Sequence, residues 1–204
     1  MGRAVSKYEA QSDEGLMELV VQRDERAFAA LYDRYSRRLL HYFATMLRRD
    51  EEKAQDMLQD LFMKLADKPE LYQSGRNFKT WIFSIANNMC KNEYRGREVR
   101  GRVHEELKHS LARQTKAPEG NGLDRETFGK ELAKALDELE DIRRETFLLR
   151  YHEEMSIQEI SELQQCSEGT VKSRLFYTLR DLNRRLKAFQ HLCFIALMRL
   201  LDML

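Results

Sequence analysis

Between residues 156 and 187 the chain reads SIQEISELQQCSEGTVKSRLFYTLRDLNRRLK. At about 100° per residue, Val171, Leu175, Leu179, Leu182 and Leu186 fall on one face of a helix. Opposite them stand Ser173, Tyr177, Arg180 and Arg184, with Thr170 and Phe176 beside that row and Lys172 and Arg174 on its flanks. The chemistry available to such a face is recognition rather than reaction. Hydroxyls and an aromatic ring can approach base edges in the major groove, while flanking cations suit the phosphates on each wall. A solvated, Arg-rich surface helix would carry the same charges, so the neighbouring elements must decide.

Those elements favour a nucleic-acid contact. Ser156 and Glu159 form a capping box, in which the Ser oxygen accepts from an amide of the first turn and the Glu reaches back to the Ser amide. Ile157, Ile160 and Leu163 give that short helix its apolar stripe, and Ser167 can cap the next one. Two amphipathic helices joined by about three residues match helix-turn-helix geometry. The charge pattern agrees. Residues 131–162 hold ten acidic and four basic side chains, whereas residues 172–187 hold six basic and one acidic. A basic segment beside an acidic one suggests a placed nucleic-acid contact next to a protein-facing surface.

The whole chain of 204 residues has a net charge of only +1, which by itself argues against a general nucleic-acid glue. With 34% charged and 42% apolar residues and two prolines, it reads as helix-rich rather than as a β-sandwich or a disordered chain. Cys90, Cys166 and Cys193 form no CxxC pair, so neither a disulfide framework nor a structural zinc site is expected and a reducing cytoplasm fits. The five histidines form no HExxH, and no glycine-rich phosphate loop occurs. An enzyme, a cofactor and a small-molecule substrate are therefore not expected. The first residues lack the apolar core of a signal peptide.

Asp24 can cap a helix carrying Phe28, Leu31, Tyr35, Leu39, Tyr42 and Met46. Ala54, Met57, Leu58, Leu61, Phe62 and Leu65 form a second stripe, which ends near Pro69. After Ser74-Gly75, a third run has Trp81, Ile82, Ile85 and Met89 and becomes basic along its flank. Apolar density then falls, and the Pro118/Gly120/Gly122 cluster marks a linker over 101–124 with a helical patch at Val103–Leu111. The expectation is an all-α protein: a helical domain at 10–100, the linker, a helix-turn-helix domain at 125–188 and an apolar helical extension at 189–204. That extension, FQHLCFIALMRLLDML, confines His191, Arg199 and Asp202 to one narrow stripe. Its sixteen residues span about 24 Å as a helix, short of the roughly 30 Å of a bilayer core. Docking on the chain's own domains or on a partner is the first expectation; an interfacial membrane contact and an oligomerising end are the others.

Taken together, the two halves resemble a bacterial RNA polymerase sigma factor of the extracytoplasmic-function (ECF, group IV) type within the sigma-70 family. Four stretches carry the resemblance: DERAFAALYDRY at 24–35, AQDMLQDLF at 54–62, FKTWI at 78–82 followed by IANN at 85–88, and EGTVKSR at 168–174. In order and at these separations they cover roughly residues 15–188. The resemblance implies a non-catalytic subunit that binds core RNA polymerase at the β′ clamp and β flap, directs it to promoters and helps open the duplex, and an anti-sigma factor as a further partner. It also implies that Asp56, Gln59 and Asp60 face the polymerase, a role suited to an acidic polar edge meeting an Arg-rich partner, with Phe62 mainly in the core. For the −10 strand it implies Asn77, Phe78, Lys79, Asn87, Asn88, Lys91 and Arg95, continuing to Arg97 and Arg100. Single-strand capture wants aromatic faces, amides for base edges and cations for the backbone, and these residues supply them. Trp81 fits either the core or base stacking. For the −35 element it implies Thr170, Lys172, Ser173, Arg174, Phe176, Tyr177 and Arg180.

Three departures stand out. Asn92 replaces an acidic residue, Glu140 stands where the family often has proline, and Gln164-Gln165-Cys166 replaces a Leu-Gly-Cys turn. Without the glycine, Gln165 must take a positive φ or the turn must open. Cys166 is expected as a small buried apolar residue rather than a redox sensor. Two rival functions remain: a sigma-like regulator that sequesters a partner, and an autonomous helix-turn-helix repressor that binds duplex alone.

Overall fold

The computed structural model describes residues 7–104 and 125–187. The side chains of Arg97 and Arg100, most of the expected linker and the apolar extension at 189–204 lie outside the described residues. Every regular element among those residues is helical, as expected.

The first helix, α1 (Asp13–Val21), precedes the periodic runs read above. It is capped by Ser12, whose hydroxyl accepts from the Gly15 amide, and it buries Leu16, Met17 and Val20. Its first turn also braces its neighbours. Asp13 takes hydrogen bonds from Arg34 and Tyr35, and Glu14 Oε1 accepts from the Phe78 amide at 3.0 Å.

Helix α2 (Glu25–Met46) starts at Asp24, whose carboxylate accepts from the Arg26 and Ala27 amides. It buries Leu31, Tyr35, Leu39, Tyr42 and Met46 along the expected stripe. Helix α3 (Glu51–Asp67) is capped by Asp50 and buries Ala54, Met57, Leu61, Phe62 and Leu65. A 3-10 turn at Pro69–Leu71 leads to α4 (Phe78–His104), so the first residues expected as linker continue this helix instead. The helices pack around Tyr35, Tyr42, Phe43, Phe78 and Phe83, all nearly or fully buried.

The second domain holds α5 (Arg125–Asp137), α6 (Asp141–Phe147), α7 (Ile157–Gln164) and α8 (Glu168–Arg185). At the α5–α6 turn, Glu140 adopts φ −58°, the value a proline would lock, so the turn keeps its shape without one. Helix α6 widens into a π-helical turn at Leu148–His152. Arg144 is fully buried there. Its guanidinium donates to the carbonyls of Leu136, Asp137 and Leu139, to Asp141, and to Met46 O at the end of α2. A buried cation needs this many acceptors, and they pin the turn.

The domains are not separate bodies. Leu148, Leu149, Met155, Ile160, Leu163, Val171 and Leu175 belong to the same contiguous core as the α1–α4 residues. A smaller cluster of Ala135, Leu136, Leu139, Leu182 and Leu186 packs α5 against the end of α8.

Candidate nucleic-acid interface

The helix-turn-helix forms as the cap residues dictate. Ser156 Oγ accepts from the Glu159 amide at 3.1 Å, and the Ser156 amide donates to Glu159 Oε2 at 2.8 Å. Burial pushes the Glu159 carboxyl up, but Ser156, Lys79 and Thr80 outweigh it and hold the group below its ordinary value. Gln165 answers the question left by the missing glycine: it takes φ 53°, ψ 47°, the left-handed conformation, and the turn stays closed. Ser167 then caps α8 by accepting from the Thr170 amide at 3.1 Å.

Helix α8 buries Val171, Leu175 and Leu182, and its C-cap residue Leu186 is buried as well. Leu179 is only half-buried, and Thr178 is fully buried in its place, its hydroxyl donating to Arg174 O and accepting from Arg143 Nε. Outward lie Lys172, Ser173, Phe176, Tyr177 and Arg180, all exposed. Phe176 and Tyr177 are 61% and 54% exposed, and their rings meet edge-on at 5.4 Å. Arg180 lies 6.0 Å above the Tyr177 ring. Two adjacent aromatics held in water on a basic helix are groups for which a bound partner would lower the free energy. Thr170 is half-buried and shares a hydrogen bond with Ser167. Arg174 departs from its expected role: its Nη1 donates to Gln164 Oε1 at 2.8 Å and approaches Cys166 Sγ at 3.5 Å. It braces the turn instead of pointing along the flank. Cys166 is half-buried, less enclosed than expected.

The residues expected at the −10 strand divide. Asn88 and Arg95 are exposed and Lys91 half-buried. Asn77 is exposed, and its Oδ1 accepts from the Thr80 amide at 2.9 Å at the start of α4. Two expectations are corrected. Phe78 is 0% exposed, wedged between Tyr35, Tyr72 and Trp81, because the first turn of α4 points its ring into the core. Asn87 is 1% exposed, and its Oδ1 has no hydrogen-bond partner among the described residues. Neither offers a surface to a base in this arrangement. Trp81 is half-buried, edge-on to Tyr72 at 5.1 Å. Lys79 is engaged across the domains, its Nζ donating to Glu153 O at 2.9 Å.

On α3, Asp56, Gln59 and Asp60 are all exposed. Phe62 packs inward against Phe28 and Tyr32. Sequence reasoning passed over Tyr32 and Met63, which stand 42% and 54% exposed on α2 and α3. It also passed over the contacts that hold the domains together. Glu153, with a fully buried side chain, accepts from Arg38 Nε and Nη2 at 2.9 and 2.6 Å. Thr80 Oγ1 donates to Glu159 at 3.2 Å. His41 stacks on His152 at 4.1 Å, and burial followed by the charge of His152 holds the His41 pKa below its ordinary value. None of these contacts announced itself in the sequence; Glu159 alone was marked there, for the local capping box it forms with Ser156.

Fold and site together define a two-domain, all-helical DNA-binding protein of the helix-turn-helix class. The family model for sigma-70 region 2 matches residues 31–100, and that for sigma-70 region 4 matches residues 129–182. The chain is 31% identical over 160 residues to the ECF RNA polymerase sigma factor SigL of Mycobacterium tuberculosis, across 78% of this chain and 88% of that one. It is 29% identical to the RNA polymerase sigma-H factor of Pseudomonas aeruginosa, across 87% of this chain and 95% of that one. Among solved structures it resembles the sigma factor RpoE of Bartonella quintana, solved in complex with the anti-sigma factor NepR. That match has a TM-score of 0.56 and 29% identity over 72% of this chain and 89% of that one. The fold alone is shared with CnrH, solved with the cytosolic domain of CnrY, at a TM-score of 0.64 and 21% identity over 87% of this chain and 99% of that one. The chain belongs to the extracytoplasmic-function sigma factors of the sigma-70 family.

Proposed function

We propose that this sigma factor binds core RNA polymerase through the exposed edge of α3 at Asp56, Gln59 and Asp60, and through its second domain at the β flap. It then places α8 in the major groove of the −35 element. The observation that carries this reading is the exposed row of Lys172, Ser173, Phe176, Tyr177 and Arg180 behind a fully capped turn. Ser173, Tyr177 and Phe176 read base edges, and Lys172 and Arg180 neutralise phosphates. Thr170 positions the first turn of α8. In the first domain, Asn77, Lys79, Asn88, Lys91 and Arg95 meet the opened −10 strand. The protein works in the cytoplasm and has no small-molecule substrate. An anti-sigma factor is a further partner, inferred from the relative solved with NepR.

Lys79 and Thr80 are bonded to the second domain in this arrangement. Promoter engagement therefore requires α7 and Glu153 to leave the start of α4. Transcription in vitro with purified core polymerase on a genomic library tests the assignment. Discrete start sites that appear only when the chain is added are expected. Their absence under every condition, with duplex binding by the chain alone, would establish the repressor reading instead.

A further inference from the structure

Between the two domains lies a groove of about 800 Å³. His41 and Ala44 of α2 line one side, and Gly129, Leu132, Leu136 and Phe147 of the second domain line the other. A Cβ at Gly129 would meet nothing within 4 Å, so this wall opens onto free space. Leu132, Leu136 and Phe147 pack on their other side against Leu182 and Leu186. Leu186, at the end of α8, therefore packs with side chains that also line the groove, about one helix diameter of chain travel from it.

We propose that this groove receives residues 189–204 of the same chain. Three observations select that occupant over a second copy or another partner. The segment starts at the wall, and sixteen residues reach about 24 Å as a helix, ample to cross one helix and lie along the groove. It is apolar except for Gln190, His191, Arg199 and Asp202, and the groove presents apolar lining to it at Ala44, Leu132, Ala133, Leu136, Phe147 and Leu148. Finally, the tether makes docking intramolecular, at an effective concentration on the order of millimolar, which a second copy at micromolar concentration does not reach. A seated tail touches α2 and the α5–α6 region at once and so clamps the second domain onto the first. The consequence for promoter binding rests on the function proposed above; the seat of the tail does not.

The test uses the full chain with Cys166→Ser, which leaves Cys193 in the tail and the fully buried Cys90. A cysteine is added at Ala44 or, on the opposite wall, at Ala133, and a short bis-maleimide cross-linker is mapped by mass spectrometry. Met63→Cys, exposed on α3 and not part of the groove, is the control. Intrachain cross-links from Cys193 to position 44 and to position 133 should form about tenfold faster than to position 63. Gly129→Trp, which fills the groove, should suppress both. Equal rates to all three positions would overturn the proposal. So would cross-links found only between chains, or capture of the tail by vesicles of phosphatidylcholine and phosphatidylglycerol with no groove cross-link. No polymerase or promoter enters this experiment, so its failure leaves the sigma-factor assignment intact.

Discussion

Gln165→Gly tests whether the recognition turn is held closed against local strain. Gln165 sits at φ 53°, ψ 47°, where a Cβ crowds the following carbonyl at a cost of about 1–2 kcal/mol. Glycine escapes that cost but brings roughly 0.5–1 kcal/mol of extra backbone entropy to the unfolded chain. The side chain is exposed and makes no described hydrogen bond, while the closing bonds come from the backbone. The Gln165 amide donates to Glu162 O at 3.3 Å, and the Cys166 amide donates to Ser161 O at 3.0 Å. Both survive the change. The net gain should be about 0.5–1 kcal/mol, read as a higher urea midpoint at unchanged slope. Gln165→Ala keeps the Cβ and serves as the control, and Gln165→Asn should fall between the two because asparagine tolerates the left-handed region. Helical circular dichroism of the full chain in urea reports all three. If glycine proves no more stable than alanine, the turn is not strained in the way the φ value implies, and the argument fails.

Glu145 is buried, one of its oxygens has no hydrogen-bond partner among the described residues, and burial raises its pKa from the ordinary 4.5 against the pull of Gln164, Lys91 and Arg174. The folded state thus favours the protonated acid: its contribution is intact below the ordinary pKa and is lost as pH rises through the raised one. Glu145→Gln should stabilise the chain at pH 8 and show a shrinking advantage toward pH 5 in urea titrations. A gap that does not vary with pH would count against this. Lys172→Ala should weaken promoter binding similarly across −35 sequences and lower the salt slope by about one, whereas Ser173→Ala should change the preferred −35 sequence. Binding titrations on a −35 variant set separate them, and equal effects of both would contradict the division between phosphate and base contacts. Asp60→Arg reverses an exposed charge, so folding should stay within about 0.5 kcal/mol while affinity for core polymerase falls at least about tenfold. Unchanged co-elution with core polymerase would remove α3 from the interface.

Much of this was legible because it is local. Caps at Asp24, Ser156 and Ser167 and apolar stripes of helical period specify their helices without help from distant residues, and each formed as read. The outward row on α8 follows from the same period. Where the reading slipped, tertiary packing overrode local chemistry. Phe78 has the composition of a stacking platform, but one turn of α4 directs it between Tyr35 and Tyr72, a choice set by residues 43 and 6 positions away. Arg174 sits on a flank by angle, yet its long side chain folds back to Gln164, ten residues earlier. Helix α1 was missed because Gly15 stands three residues after its cap Ser12, where Glu159 completes the capping box that announced the similarly short α7.

The docking of the domains was invisible for a different reason. Its contacts join residues far apart in the chain: Arg38 to Glu153, Arg48 to Asp141, Arg49 to Asp137, Lys79 to Glu153 and Thr80 to Glu159. Each partner alone looks like an ordinary surface residue. Energetically they are also unlike a core. The Arg48 and Arg49 pairs are more than half exposed on the arginine side, and such pairs contribute about 0–1 kcal/mol. Glu153 is the exception, because its carboxylate is fully buried and depends on Arg38 for charge compensation. Ile160 and Leu163 add apolar area at the joint. An interface made this way holds the second domain over Lys79 in the free protein, with one buried ion pair as its anchor. A competitor that offers α3 and α8 larger surfaces must overcome that anchor, the bond from buried Arg144 to Met46 O, the second-domain side chains that join the shared core, and the weaker polar contacts. Strain is not required for release: the polar groups exchange one partner for another, and the capped helices keep their shape through the exchange.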